Sequence, residues 1–569
     1  MSILLILLAA AGVLLLGYGL YGRFLEKRWG LDASRETPSQ DCFDGKDFVP
    51  TPPLVVMGHH FASIAGAGTI FGTVMGAAFG WGPVLLWIVI GGVFFGAAHD
   101  FGALFASLRH KGRSLGRVLR ESAGEKTQRI FAVFALLVLV LLVACLTNIT
   151  AGTFASSSES GLISTGLGRV SPQAASGTAA ILFVLVGLLF GLLVFRKNLP
   201  MIPVTVVSLL LMAGSVWLGL NLGLNLNYTV WVGVIAVYLV AASLAPVWSL
   251  LQPRDFLSAF LLWGMMLLGF AAAIAAAVSG RVELSLPFYT GFSGAQGPLF
   301  PALFVVVAGG AVSGYHALIA AGTTSKQLAN EKHARTVSVG SMLLDSLLAL
   351  LALLAAAAMG ARGEGATPAE VFASGLAAMW SAGFGAEGAG GIVYSLTALT
   401  VSVFALTTLD TCTRLARYLF AEIFNPEGKR LAKLQGAQRF FATPAVGTLL
   451  VVLLGCGLGL VRDTERLWGL FGAANQLLAG LAMLAVAVWL KESGRSAGML
   501  FIPLFVITAA ALAYLGIGAG AAARLIVAGT ATWLDWLSEI CSLVLAVLAT
   551  ILLVQGASAF RKKPEPEEE

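Results

Sequence analysis

Charge is scarce in this chain. Only 11% of its 569 residues are Asp, Glu, Lys or Arg, against 58% hydrophobic residues and a mean hydropathy of +0.88. That balance excludes a soluble globular domain and leaves an all-α polytopic membrane protein. Cysteine is scarce too: Cys42, Cys145, Cys412, Cys456 and Cys541 have no paired spacing, so neither a disulfide framework nor a metal site is expected. The sequence has no His-Glu-x-x-His and no two histidines three or four residues apart within one apolar run. This speaks against a membrane-embedded, histidine-based enzyme or cofactor protein, and no cofactor is expected. No Lys or Arg is expected deep in a span. The opening MSILLILLAAAGVLLLGYGLYGRF lacks a basic residue before Arg23 and an A-x-A site, and reads as a retained first helix rather than a signal peptide.

What the chain has in quantity is apolar runs of membrane-crossing length. They predict about fifteen transmembrane helices, near 3–22, 53–80, 82–108, 129–154, 176–195, 201–221, 228–249, 255–279, 299–321, 336–359, 390–413, 441–461, 466–490, 498–518 and 534–556. With the N-terminus outside and the C-terminus inside, 29 of the 35 Lys and Arg fall in inner loops or the tail. The exceptions are Arg169, Arg281, Arg362, Arg462, Arg466 and Arg524. The net charge of +6 is therefore a topology signal, and no nucleic-acid partner is expected. The loops Ser156 to Ser176 and Arg281 to Gly297 are rich in Ser, Gly and Thr, as outer loops suit. Ala366 to Ala386 reads as a surface helix or a re-entrant piece, and the tail KPEPEEE as a solvated end.

Two of the runs are unlike the rest. Residues 53–80 carry Gly66-Ala67-Gly68-Thr69 at their middle, and residues 299–325 carry Gly309-Gly310 and Ser313-Gly314. Helices so rich in Gly break readily, and in lipid a broken backbone is tolerated only in protein or against a watery cavity. The first run starts inside and the second outside, and four spans follow each. This predicts a five-plus-five inverted repeat: 1–52 a first helix and loop, 53–221 repeat 1, 222–298 an inserted helix pair, 299–491 repeat 2 and 492–569 peripheral helices with the acidic tail. Such an arrangement belongs to secondary transporters, with the site between the broken helices. The alternative is that the glycines only permit close helix packing.

The runs GHHFASIAGAG (Gly58 to Gly68), AHDFGALFASLRHKGRSLG (Ala98 to Gly116), SGYHALIAAGTTSKQ (Ser313 to Gln327) and TTLDTCTRLAR (Thr407 to Arg417) together resemble the carbon starvation protein A (CstA) family. The resemblance covers nearly the whole chain; Thr69 stands where that family typically has Pro after the Gly-Ala-Gly. It implies a LeuT-like fold and a transporter of the bacterial inner (cytoplasmic) membrane, importing peptides or pyruvate under carbon limitation. It also implies coupling to protons, with sodium as the alternative ion.

Ionisable residues within spans need a reason to be there. For substrate the candidates are His59, His60, Ser63, Gly66, Ala67, Gly68 and Thr69 at the first break, and Ser313, Gly314, Tyr315 and His316 at the second. An imidazole can carry a proton near neutrality, and Tyr315 offers an aromatic wall with a hydroxyl. For the coupling ion they are Asp100, Asp345, Thr407, Thr408 and Asp410. A structural role for Asp100, paired with a loop Arg or with His99, is the competing reading. Asp345 lies mid-span in MLLDSLL, far in sequence from any Lys or Arg. In LeuT-like folds the helix corresponding to that of Thr407 and Thr408 lends hydroxyls to a cation site, and hard cations prefer oxygen. Asn148, Asn475 and Gln476 read as interhelical links. The expected function is symport of a small carboxylate-bearing solute across the lipid bilayer, with a channel as a further option.

Overall fold

The computed structural model describes residues 3–561 except 46, 156–162, 166–167, 295, 360–365, 386–389 and 430. The tail KPEPEEE and most of the Ser-rich stretch after residue 155 lie outside the described residues. Helix α1 runs over Ile3–Trp29. The glycine-rich run that follows is two helices, α2 (Pro53–Ile64) and α3 (Ala67–Gly76), bent by 41°. The helical path stops because Ala65 (ψ 57°) and Gly66 (ψ −173°) leave it, and Gly lowers the cost of doing so.

Next come α4 (Trp81–Arg109), α5 (Leu115–Ala123), α6 (Glu125–Phe154), α7 (Pro172–Arg196) and α8 (Met201–Asn221). They are followed by α9 (Tyr228–Leu244) and α10 (Leu251–Ser279). The second interrupted run is α11 (Leu299–Val306) and α12 (Gly314–Gly322). The chain continues through α13 (Glu331–Met359), α14 (Pro368–Phe384), α15 (Gly390–Phe424), α16 (Pro444–Gly459), α17 (Thr464–Glu492), α18 (Gly498–Val527) and α19 (Trp533–Arg561). Starts are marked by local chemistry: Ser171 before Pro172, Asn227, and a capping box of Thr367 with Glu370. Two short hairpins pair Ile163 with Val170 and Ser293 with Pro298.

Among the described residues eleven helices are long and apolar enough to cross a membrane, and the bent pair α2–α3 makes twelve. The other expected spans, α9, α16 and α11–α12, are helical but short or divided, so length and composition do not reach the count of fifteen. Helix α14, within the stretch read as a surface helix or a re-entrant piece, packs against α3, α10, α13 and α15 and is buried along one side.

The core pairs α6 with α15, and α9 with α16. Helix α10 packs on α2 and α15, while α17 packs on α12 and α6. Helices α7 and α8 pack chiefly on each other, and α8 leaves most of its side chains exposed. The helices of 222–298, α9 and α10, thus pack into the core, while α8 lies toward the edge.

The two interrupted runs lie antiparallel and are tied at both ends. Before α2, the Val49 and Thr51 N–H groups donate to the Lys326 and Gln327 carbonyls just beyond α12 (3.2 and 3.0 Å). Beyond α3, the Trp81 and Gly82 N–H groups donate to the Pro287 and Phe288 carbonyls ahead of α11 (3.2 and 2.9 Å).

Candidate functional site

The two breaks meet. Gly309 and Gly310 lie against Thr69, and Gly310, at φ 78°, takes a conformation that favours glycine. A side chain on Gly72 would strike the Val306 carbonyl, and one on Gly310 would strike Ala349. Breaking a helix frees backbone groups that need partners in a dry interior. At the second break several are supplied: Trp87 Nε1 donates to the Val307 carbonyl (2.8 Å), Gln476 Nε2 to Phe304 (2.5 Å) and Ser346 Oγ to Gly310 (2.7 Å). Asn475 Oδ1 accepts from the Tyr315 N–H (2.8 Å), and its amide meets Ser313 Oγ (3.0 Å). Three glycines of a π-helical turn in α4, Gly91, Gly92 and Gly96, let that helix approach Ala311 and Ser346.

Asp345 on α13 joins the two runs. Its Oδ1 accepts from the Thr69 hydroxyl and its Oδ2 from the Gly310 N–H, both at 2.7 Å. His316 stands between two carboxylates, with Nδ1 3.1 Å from Asp100 Oδ2 and Nε2 3.9 Å from Asp345 Oδ2. His99 Nδ1 lies 2.7 Å from the other Asp100 oxygen, so Asp100 is paired with two histidines and with no loop arginine. All four side chains are buried. Among the described residues no Lys or Arg pairs with Asp100 or Asp345.

Around this group, the space Gly66 leaves is faced by Thr408 Oγ1, which would stand 2.5 Å from an added Cβ. Tyr315 Oη donates to the Thr408 carbonyl (3.3 Å), and His60 Nδ1 meets Thr324 Oγ1 (2.7 Å). Ser63 Oγ, Thr408 Oγ1 and His60 Nε2 are buried with no hydrogen-bond partner among the described residues. Gly68 lies against Trp468, Ala67 is buried in the first turn of α3, and Gly314 packs on the backbone of α17 near Ala479.

His59 and Asp410 belong elsewhere. His59 Nδ1 is 2.9 Å from Asp255 Oδ2, and Asp255 Oδ1 is 3.0 Å from Arg254 Nη2. Arg254 Nη1 is 2.6 Å from Asp410 Oδ2, which also accepts from Tyr238 Oη (2.7 Å), and Arg254 contacts the same hydroxyl. Arg254 and Arg414, which flank the expected spans 255–279 and 390–413, are 2% and 1% exposed. The physical reason is pairing: Arg254 is flanked by two carboxylates, and Arg414 donates to the Ala242 and Ala245 carbonyls. Thr407 donates to the Phe404 carbonyl of its own helix (2.8 Å), so of the two threonine hydroxyls it is that of Thr408 that faces the first break.

The profile described as Carbon starvation protein CstA matches residues 2–363 and 361–513. A Campylobacter jejuni protein named Peptide transporter CstA is 30% identical over 556 residues, covering 87% of this chain and 77% of its own. An Escherichia coli protein of the same name is 32% identical over 572 residues, covering 86% and 77%. The Escherichia coli Pyruvate/proton symporter BtsT is 34% identical over 364 residues, 61% of this chain and 48% of its own. Among solved structures, an Eremococcus coleocola manganese transporter superposes with a TM-score of 0.52 over 91% of this chain and 99% of its own at 12% identity. At that identity the likeness establishes the fold, which is LeuT-like.

Proposed function

The chain belongs to the carbon starvation protein CstA family, and from that premise we propose that it is a proton-coupled symporter of the bacterial inner membrane, importing short peptides or pyruvate. The observation that carries this reading is the Asp345 carboxylate, which accepts one hydrogen bond from each interrupted run. A proton on Oδ2 sets an O–H donor against the Gly310 N–H, which can only donate, while the Thr69 hydroxyl can turn to accept from a protonated Oδ1. Protonation at Asp345 therefore loosens the contact between the two breaks. His316, between Asp345 and Asp100, gives the proton a second station through its imidazole. Loosening lets α2–α3 and α11–α12 exchange between the two sides, as alternating access requires.

The solute sits beside this group, against Ser63, His60 and Thr408, with Gly66 and the first turn of α3 offering backbone. A helix N-terminus favours a carboxylate, and the Asp100 and Asp345 side favours an ammonium. A peptide carries both charges. Pyruvate carries one, and needs protonated histidine to balance it. The Arg254 pairing of Asp410 and the inward bond of Thr407 leave few free oxygens for sodium.

The same reading assigns the inverted repeat as α2–α4, α6, α9 and α10 against α11–α13, α15, α16 and α17, with α7–α8 inserted. It is supported by matched packing: α10 meets α2 as α17 meets α12, and α9 pairs with α16. The positive-inside rule supports the same topology, with the basic loops inside, the N-terminus out and the C-terminus in.

The test is uptake of labelled di- and tripeptides and of pyruvate into proteoliposomes, with proton and sodium gradients imposed separately. Accumulation driven by the proton gradient is expected. Accumulation driven by sodium alone, or none of any of these solutes, refutes the proposal.

A further inference from the structure

At the end of the bundle that carries the basic loops, a cavity of about 470 Å³ opens between the turn joining α4 to α5, the end of α12, and α15. That volume suits a small molecule. Four cationic side chains line it, Lys111, Arg113, Arg117 and Lys326, against one acid, Glu422. Glu422 is already committed, accepting from Ser114 Oγ (2.8 and 2.9 Å) and from Gln128 Nε2 (2.8 Å), with Arg117 Nε 3.9 Å away. The Lys326 ammonium lies over the Tyr418 and Phe48 rings, at 4.6 and 5.4 Å from their centroids.

The cations crowd one another. Burial pulls the Arg117 guanidinium below the ordinary arginine range; Glu422 opposes this, and the neighbouring charges of Arg113 and Arg120 add to it. Burial likewise lowers Lys326, with Asp47 opposing and Arg417 adding. Topology needs positive charge in loops, but it does not need four such groups to converge on one space. Converging like charges cost free energy that a bound counter-anion removes.

We propose that this cavity is a binding site for a phosphate-bearing anion, separate from the centre on Asp345. Phosphate carries close to two charges and three acceptor oxygens, which match two guanidinium forks and two ammonium groups better than one carboxylate does. The first turn of α5, capped by Ser114, lines the same space and adds the favourable end of its dipole. The phosphate can come from a soluble metabolite or from an anionic lipid headgroup.

The experiment is calorimetric titration of the full chain, purified in uncharged detergent, with inorganic pyrophosphate. One saturable site is expected, weakened at least about tenfold in the variant K111Q/R113Q, whose two positions are exposed, and weakened by added salt. An unchanged melting temperature confirms that the variant folds; if it does not fold, Arg113→Gln alone gives the same reading. No saturable heat, or binding within about twofold of wild type in the variant, overturns the proposal. So does displacement of pyrophosphate by equal pyruvate or dialanine, which makes the cavity a passage for transported solute. In nanodiscs, loss of pyrophosphate binding with phosphatidylglycerol but not phosphatidylcholine identifies the lipid headgroup as occupant, and binding in both identifies a soluble phosphate compound. The titration needs no transport, so its failure leaves the symport reading standing.

Discussion

His59 and His60 are neighbours on α2, yet they turn to different groups of buried charge. His59 faces Asp255, Arg254, Asp410 and Tyr238; His60 lies on the side of Thr324 and of the group built from His99, Asp100, His316 and Asp345. The first group contains a guanidinium, whose charge is permanent at any working pH, and two carboxylates are held against it. The second contains only groups that can gain or lose a proton. One therefore fastens α2, α9, α10 and α15 together; the other can change its charge where the two interrupted runs meet. In the proposed symport, burying charge serves a fixed joint in one place and a switch in the other, and the arginine makes the difference.

The sharpest way to break that comparison is Arg254→Ala. It leaves Asp255 and Asp410 buried without their cation, a loss of about 3–5 kcal/mol, read as a fall in melting temperature and yield. Adding Asp410→Asn should restore part of it, because one uncompensated charge is gone. A stable Arg254→Ala protein that transports normally would erase the distinction.

Asp345→Asn tests the other group. The amide keeps the shape, so the protein should fold, but it cannot carry the proton between its two partners. Gradient-driven uptake is expected to fall at least tenfold while solute exchange at equal pH persists, by an estimate of about 1.4 kcal/mol or more in the driven step. Intact driven uptake removes Asp345 from coupling.

A smaller effect is expected from His316→Gln, which preserves a polar contact to Asp100 and lacks the titration. Uptake should persist at a reduced rate, with its pH dependence flattened. An unaltered pH profile would place the proton elsewhere. Smallest of all is Tyr238→Phe, which removes one donor from Asp410 while Arg254 remains. It should cost about 1–2 kcal/mol in thermal stability and leave uptake within about twofold.

The breaks were legible because Gly-Ala-Gly-Thr and Gly-Gly interrupt apolar runs, and glycine there has few other uses than a turn or a close approach. Asp345 was legible as a lone carboxylate mid-span. Its partners were less so: Thr69 was visible at the break, but its hydroxyl reaches a residue 276 positions away. Trp87 and Ser346, which donate to freed carbonyls, look like ordinary span residues until the second break is set beside them, whereas Gln476 was legible as an interhelical link. Arg254 and Asp255 sit in Gln-Pro-Arg-Asp just ahead of an apolar run, which reads as a loop. Only packing of α10 on α2 and α15 makes that turn interior. Hydropathy likewise finds helices without saying which are neighbours, so the packing of α9 on α16 and of α10 on α2 is not visible in it.

Proton entry accompanying solute, through Asp345, is the claim on which the rest stands. A pH-sensitive dye trapped in proteoliposomes, with no imposed gradient, reports it directly when peptide is added outside. The account predicts acidification of the lumen with wild-type protein and none with Asp345→Asn. Equal acidification by both, or wild-type solute entry with no proton movement, would contradict it.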